Sequence, residues 1–207
     1  MQAGLGIIRL DLLFEFISGI IALMVTYYAS KAYRLTGQKR LSDLSTGFLV
    51  LSAGMFGRVV GTWYFLIRAP SDATLEIVTI AYGFSRIMAY ILFAISTRQS
   101  FSRKESSSVD YSGVNLLLLA TFLVDPSLEV IAILVLVVVV LQSTLNYLST
   151  RSKFARYVLL GFFLLLLSHI FMAQVGRNGG LYLMSQAAQL LGFLSFLVML
   201  IQVGQEE

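Results

Sequence analysis

Long runs of apolar residues alternate with short polar stretches along the whole chain of 207 residues. A run of about 20 apolar residues is long enough to cross the hydrocarbon core of a bilayer as an α-helix. Six runs have about this length, and another is shorter. The pattern therefore predicts an all-α integral membrane protein, a bundle of seven transmembrane helices at about residues 12–30, 44–67, 74–97, 113–124, 127–148, 154–175 and 180–203.

The composition supports this class, because 57% of the residues are hydrophobic and only 13% are charged. Water-soluble domains carry about 25% charged residues, so the sequence excludes a soluble fold. The predicted helices leave only short connections, with no room for a separate soluble catalytic or output domain. We therefore expect a single transmembrane domain over residues 1–207 and a location in the cell membrane.

The basic residues predict the orientation. If all seven segments cross, ten Lys and Arg residues, in the clusters 31–40, 98–104 and 151–156, lie on one side, and Arg9, Arg68 and Arg177 lie on the other. By the positive-inside rule the N-terminus is then outside and the C-terminus inside. Segment 113–124 spans only about 18 Å as a helix, but without it the cluster 151–156 would face outward. The charge distribution therefore favours seven spans.

Two parts of the chain resemble each other. Gly47-Phe48 and Gly161-Phe162 each follow a basic loop and are 114 residues apart, while Gly83-Phe84 and Gly192-Phe193 are 109 residues apart. This predicts a parallel repeat of two three-helix units, 10–98 and 126–204, joined by a linker with the short fourth helix, 99–125. The alternative is that apolar helices share Gly-Phe pairs by chance.

The three-one-three plan resembles that of SWEET and PQ-loop transporters and, more loosely, that of seven-helix receptors and opsins. The resemblance covers helix number and repeat order only. The chain has no Pro-Gln dipeptide, and its two prolines, Pro70 and Pro126, lie in predicted loops. An opsin needs a buried lysine for its retinal Schiff base, whereas all four lysines are predicted in inner loops: Lys31, Lys39, Lys104 and Lys153.

The residue inventory argues against an enzyme. The chain has no cysteine and a single histidine, His169, so it lacks thiolate metal sites, a His-Glu-x-x-His zinc motif and a bis-histidine haem site. A serine hydrolase that uses His169 is not excluded by counting, but no Gly-x-Ser-x-Gly motif is present. We expect no catalytic residues, no cofactor and no metal.

Two arginines lie inside predicted spans, where a charged side chain is costly and is usually functional or paired. Arg58 shares a helix face with Gly54 and Gly61, and Arg86 shares one with Tyr82 and Tyr90. With the N-terminus outside, most other intramembrane polar groups fall in the outer half of the bundle. The sequence therefore predicts an outward-open polar cavity lined by Arg58, Arg86, Glu15, Tyr82, Tyr90, His169, Gln186 and Gln189.

Structural interpretations stand beside this one. Arg58 and Arg86 would pair with Glu15 and Glu76 as buried salt bridges that fix helix register. His169 would be a hydrogen-bonded core residue, and Glu129 an acid at a helix N-terminus. The glycines at every seventh position in the second helix would form a close packing seam, Gly47, Gly54 and Gly61.

The polar outer half favours a sensor or receptor-like module that binds a small polar or amphipathic molecule from outside. The expected partners are the lipid bilayer and a cytoplasmic or membrane protein at inner loops 31–43, 98–112 and 150–156, but no nucleic acid. One alternative is a small-solute transporter of SWEET-like plan, which requires a polar path that continues inward. Another is a non-catalytic subunit of a membrane complex.

Overall fold

The computed structural model describes residues 2–68, 72–98, 128–175 and 180–203, with side chains described within 10–64, 76–97, 128–175 and 180–202. These residues form six helices, which we number in chain order as α1 (Gln2–Thr36), α2 (Lys39–Arg68), α3 (Asp72–Arg98), α4 (Leu128–Thr150), α5 (Lys153–Ala173) and α6 (Gly180–Val203). Each corresponds to one of the long predicted segments. The predicted short helix, 113–124, lies outside the described residues.

All six helices are long and apolar enough to cross a membrane. Many of their large apolar side chains are exposed, as expected of a surface that faces lipid, among them Leu13, Phe16, Val60, Trp63, Ile80 and Phe84. The predicted all-helical membrane fold is therefore confirmed, and the chain is a multi-pass membrane protein. α1 begins at Gln2, earlier than the apolar run suggests.

The six helices form a closed ring in which each packs on the next and α6 packs on α1. Neighbours in the ring are antiparallel, with two exceptions. α3 and α4 run parallel, because Arg86 contacts Glu129 and, further along both helices, Thr97 bonds to Gln142. α6 and α1 are also parallel. As a result α1, α3, α4 and α6 all begin at the same end of the bundle.

The two ends differ in chemistry, and we name them by their residues. The ionic end contains Asp11, Arg58, Arg86 and Glu129, which take part in salt bridges. The cavity end contains the α1–α2 and α4–α5 turns, where a cavity lies between the helices. The basic stretches 31–40 and 151–156 therefore lie at the same end.

The glycine row of α2 is a packing seam against α3, as predicted. A Cβ atom at Gly47 would overlap the ring of Phe93, and one at Gly61 would press on Val78 at 3.0 Å. Between them Gly54 lies against Ser85, whose hydroxyl donates a hydrogen bond of 2.8 Å to the carbonyl of Val50. The absence of side chains at these positions lets the two helices approach closely.

Candidate functional site

Arg58 of α2 is held by two carboxylates of α1. Its Nη2 donates to Oδ2 of Asp11 at 2.9 Å, and its Nη1 donates to Glu15. The two acids are four residues apart and therefore share one helix face. Glu15 is almost fully buried, and its Oε2 has no hydrogen-bond partner among the residues that the structure describes. This group carries two formal negative charges against one positive charge.

Arg86 of α3 is the centre of a second group. Its guanidinium lies 3.2 Å from Oε1 of Glu129 on α4 and 2.9 Å from Nε2 of His169 on α5. Nδ1 of His169 is 2.6 Å from Oε2 of Glu129, and the hydroxyl of Tyr90 is 2.7 Å from Nε2. With the proton of His169 on Nδ1, Nδ1–H donates to Glu129 and Nε2 accepts one hydrogen bond, from either Tyr90 or Arg86.

Tyr82 connects the two groups. Its ring lies 5.2 Å from Cζ of Arg58 and 5.1 Å from Cζ of Arg86, so both guanidinium groups make cation–π contacts with one buried ring. The helix spacing explains this arrangement, since Tyr82, Arg86 and Tyr90 lie on one face of α3. The ionic end therefore contains one continuous polar network rather than two isolated salt bridges.

α6 joins the network through Asp11. The hydroxyl of Tyr182 donates to Oδ1 of Asp11, and Nε2 of Gln186 lies 3.1 Å from the Tyr182 oxygen. Two amide atoms nearby are buried without a hydrogen-bond partner in the described ranges of the chain, Oε1 of Gln186 and Nε2 of Gln189. Together with Oε2 of Glu15, they leave unused hydrogen-bonding capacity within the network.

The structure brings seven of the eight predicted site residues into this network, and Gln189 is buried beside it on α6. The predicted Arg58–Glu15 pair is present. Arg86 pairs with Glu129 instead of Glu76, which is exposed. Asp11, Glu129 and Tyr182 complete the network and are absent from the predicted set. A same-face signal existed for Asp11, four residues before Glu15.

A layer of buried phenylalanines lies midway along the helices, between the polar network and the cavity end. The rings of Phe48 and Phe93 are 4.8 Å apart, as are those of Phe162 and Phe196. The cross pairs are similar, with 5.1 Å between Phe48 and Phe196 and 5.4 Å between Phe93 and Phe162. We call these four residues the aromatic layer. They close the centre of the bundle.

Beyond the aromatic layer lies a cavity of about 290 Å³ that opens at the cavity end. It lies between α1–α3 on one side and α4–α6 on the other. Polar and apolar side chains share its lining, which includes Thr36, Gln38, Arg40, Leu44, Ser96, Thr97, Asn146, Thr150, Ser152, Phe154, Val158, Phe162 and Met199. The sequence predicts a cavity at the ionic end, whereas this one lies at the opposite end.

Residues 12–93 match a protein family of unknown function, DUF7521. The match covers most of α1, all of α2 and most of α3, which is less than half of the chain. Among curated proteins and solved structures, none matches. The geometry of the described residues is therefore the basis for a functional proposal.

Proposed function

We propose that the protein is a small-solute transporter with a three-one-three plan, in which two three-helix units move against each other around a central site. The first unit is α1–α3 and the second is α4–α6. The cavity is the solute-accessible vestibule, and the polar network closes the opposite end. A cytoplasmic cavity end is consistent with the positive-inside rule, since the basic stretches 31–40 and 151–156 lie there.

The turns at the cavity end support the repeat. Gly37 and Arg151, 114 residues apart, each begin a two-residue turn with a positive φ, of 65° and 48°. Their backbone N–H groups donate to the carbonyls of Tyr33 and Tyr147, also 114 residues apart. The preceding threonines, Thr36 and Thr150, donate to the carbonyl four residues earlier at 2.9 and 2.8 Å. Similar sequence therefore forms similar local structure.

The packing of the middle of the bundle supports the same relation. A side chain at Gly47 would overlap Phe93, and one at Gly161 would overlap Phe196. A two-fold rotation that exchanges the units would map Phe48 to Phe162 and Phe93 to Phe196, and the paired distances in the aromatic layer agree with it. Phe93 and Phe196 are 103 residues apart, so this mapping uses a different register in the third helix from the 109 residues between Gly83 and Gly192. The acids Glu15 and Glu129 are also 114 residues apart, and each pairs with a basic side chain of the following helix.

The parallel course of α3 and α4 supports a seventh span. α3 ends at the cavity end and α4 begins at the ionic end, so residues 99–127 connect opposite ends of the bundle. We propose that the predicted apolar segment 113–124 makes this crossing. Seven spans also keep all basic clusters on the inner side, with the N-terminus outside.

The observation that carries the proposal is the cavity between the units, at the end opposite the polar network. The network joins the units at both places where they meet: Arg86 contacts Glu129 between α3 and α4, and Tyr182 contacts Asp11 between α6 and α1. At the cavity end Thr97 still donates to Gln142 across α3 and α4, but the charged contacts between the units lie at the ionic end. Units held by ionic contacts at one end, with a polar cavity between them at the other, resemble one state of an alternating-access cycle.

Cysteine labelling tests this proposal, because the chain contains no natural cysteine. Asn146→Cys reports on the cavity, and Gln189→Cys reports on the buried region beside the network. In membranes of known sidedness we expect a membrane-impermeant maleimide to label position 146 from the cytoplasmic side and to leave position 189 unlabelled. Adding Asp11→Asn and Glu129→Gln weakens both junctions, so labelling at 189 from outside should rise and labelling at 146 should fall.

Glu76→Gln is the matched control, since it removes an exposed carboxylate of α3 outside the network. It should leave both labelling rates unchanged. If the double substitution leaves both rates unchanged as well, the two ends are not coupled and the transporter proposal fails. Uptake into proteoliposomes then tests individual solutes against empty vesicles.

A sensor is the second candidate, favoured by the unpartnered buried atoms of Glu15, Gln186 and Gln189. A small polar ligand from outside would satisfy these atoms and stabilise one arrangement of the helices. In that case an added ligand should protect Gln189→Cys from labelling and raise the unfolding temperature, with no net solute flux. The transporter predicts flux.

A further inference from the structure

The cavity contains one basic side chain, that of Arg40, near the start of α2. Arg40 forms no ion pair with any residue that the structure describes, whereas Arg58 and Arg86 are both paired with carboxylates. A guanidinium offers five N–H donors in a planar arrangement suited to carboxylate or phosphate. Arg40 therefore presents unused donors and an uncompensated positive charge to the cavity.

Asn146 is a second polar group at the cavity, on the side formed by α4–α6. It is only 8% exposed, and it lines the cavity. Its backbone carbonyl accepts hydrogen bonds from Ser149 and Thr150, while its side-chain amide has no hydrogen-bond partner in the described part of the chain. Because Asn146 lines the cavity, its amide is available to bond to a ligand that enters.

The cavity departs from the repeat at Arg40. The residue 114 positions later is Phe154, which lines the other unit's side of the same cavity. Leu44, Val158, Phe162 and Met199 add further apolar surface. The first unit therefore supplies the basic side chain of the cavity, and the second supplies an aromatic and apolar surface beside the polar group Asn146.

We propose that the cavity binds small organic anions with an apolar body, whose carboxylate or phosphate is held by Arg40 and Asn146. This inference rests on the proposed transport function and names the solute class. The apolar body packs against Phe154, Val158 and Phe162. A cavity of about 290 Å³ is at the small end of the range for ligand pockets, about 300–1,000 Å³, which suits a compact solute.

An anionic lipid headgroup carries the same chemistry, so the test separates the two sources. Purified protein in a neutral detergent is titrated separately with benzoate, its neutral analogue benzamide, inorganic phosphate, phosphatidylglycerol and phosphatidylcholine. Binding is measured by calorimetry and by the shift in unfolding temperature. We expect benzoate to bind and benzamide not to bind. Binding of phosphatidylglycerol without binding of benzoate would assign the site to lipid and overturn the proposal.

Arg40→Gln should weaken benzoate binding by about tenfold or more, because the charge-assisted hydrogen bonds are lost. The matched control is Arg156→Gln, an exposed arginine of α5 at the same end, which should leave binding unchanged. If Arg40→Gln does not fold, Asn146→Asp provides the test. It nearly preserves side-chain shape and adds a negative charge, so it should also weaken benzoate binding. Equal binding by wild type and the folded variant would overturn the proposal.

The outcome is separable from that of the transport proposal. Binding is measured in detergent, where no flux exists, and uptake of labelled benzoate is measured in proteoliposomes. Arg40-dependent binding without uptake would reject transport and retain the anion site. Coupled labelling of positions 146 and 189 without benzoate binding would retain alternating access and reject this solute class.

Discussion

The carboxylate of Glu129 lies 3.2 Å from the guanidinium of Arg86 and so joins α4 to α3. Oε2 of the same carboxylate lies 2.6 Å from Nδ1 of His169 on α5. One acid thus connects three helices at the point where the two three-helix units meet. In a membrane interior, where water is scarce, each of these groups depends on the others for its partners.

The first prediction concerns this pair. Arg86→Ala and Glu129→Ala should each lower the free energy of unfolding by about 2 kcal/mol, below the value for fully buried pairs because Glu129 is partly exposed. The double substitution should cost less than the sum of the single ones, since neither charge is then left unpaired. Unfolding in mixed micelles measures all three variants. Glu76→Ala should change stability little, and additive effects would contradict an interaction between Arg86 and Glu129.

The second prediction concerns the glycine contacts. Gly47→Ala and Gly161→Ala place a methyl group against the rings of Phe93 and Phe196, and each should destabilise by about 1–3 kcal/mol. Gly57→Ala is the control in the same helix as Gly47, because a Cβ there meets nothing within 4 Å. Alanine also favours the helix by about 1 kcal/mol, so this variant should be as stable as wild type or more stable. Equal losses of unfolding free energy from Gly47→Ala and Gly57→Ala would contradict close packing of α2 on α3 at Gly47.

Helix faces could be predicted from the sequence, but the neighbours of each face could not. The spacing of Tyr82, Arg86 and Tyr90 places them on one side of α3 whatever surrounds the helix. Whether Arg86 pairs with Glu76 or with Glu129 depends on which helix packs beside α3. That helix is α4, which is separated from α3 in the sequence by residues 99–127. Sequence spacing carries no information about that contact.

The cavity was harder to predict for a different reason. Its polar lining consists largely of short side chains near helix ends, such as Thr36, Ser96 and Ser152. Hydroxyl groups are common at those positions, and several bond to the backbone of their own helix. Arg40 looked like one more basic residue of an inner loop. Only the packing of α2 against the neighbouring helices turns it toward an enclosed space.

The third prediction concerns the link between the aromatic layer and the polar network. Tyr90→Phe removes the hydroxyl that lies 2.7 Å from Nε2 of His169. Because Arg86 remains within hydrogen-bonding distance of that nitrogen, the expected loss is about 1 kcal/mol of unfolding free energy. Tyr27→Phe, at an exposed tyrosine of α1, should have no measurable effect. If both substitutions lower the free energy of unfolding equally, the loss at position 90 does not come from the contact with His169.

The fourth prediction tests the two-fold relation through the aromatic layer. Phe48→Ala and Phe162→Ala should each cost about 2–4 kcal/mol, because the cavity that is left behind persists while the transfer from lipid contributes little. The two losses should agree closely, since both rings have similar distances to the other two phenylalanines. Unfolding in mixed micelles measures both variants.

Phe163→Ala is the control for this comparison, because the side chain of Phe163 is next in sequence to Phe162 but is exposed on the outer surface of α5. It should cost much less than either buried substitution. When Phe48→Ala or Phe162→Ala is combined with Gln189→Cys, the maleimide should label position 189 faster from the cavity end. The reason is that the aromatic layer separates the cavity from that region. A large loss at Phe48 with none at Phe162 would mean that one unit alone supports the centre of the bundle, and the rocking of two equivalent units would lose its structural basis.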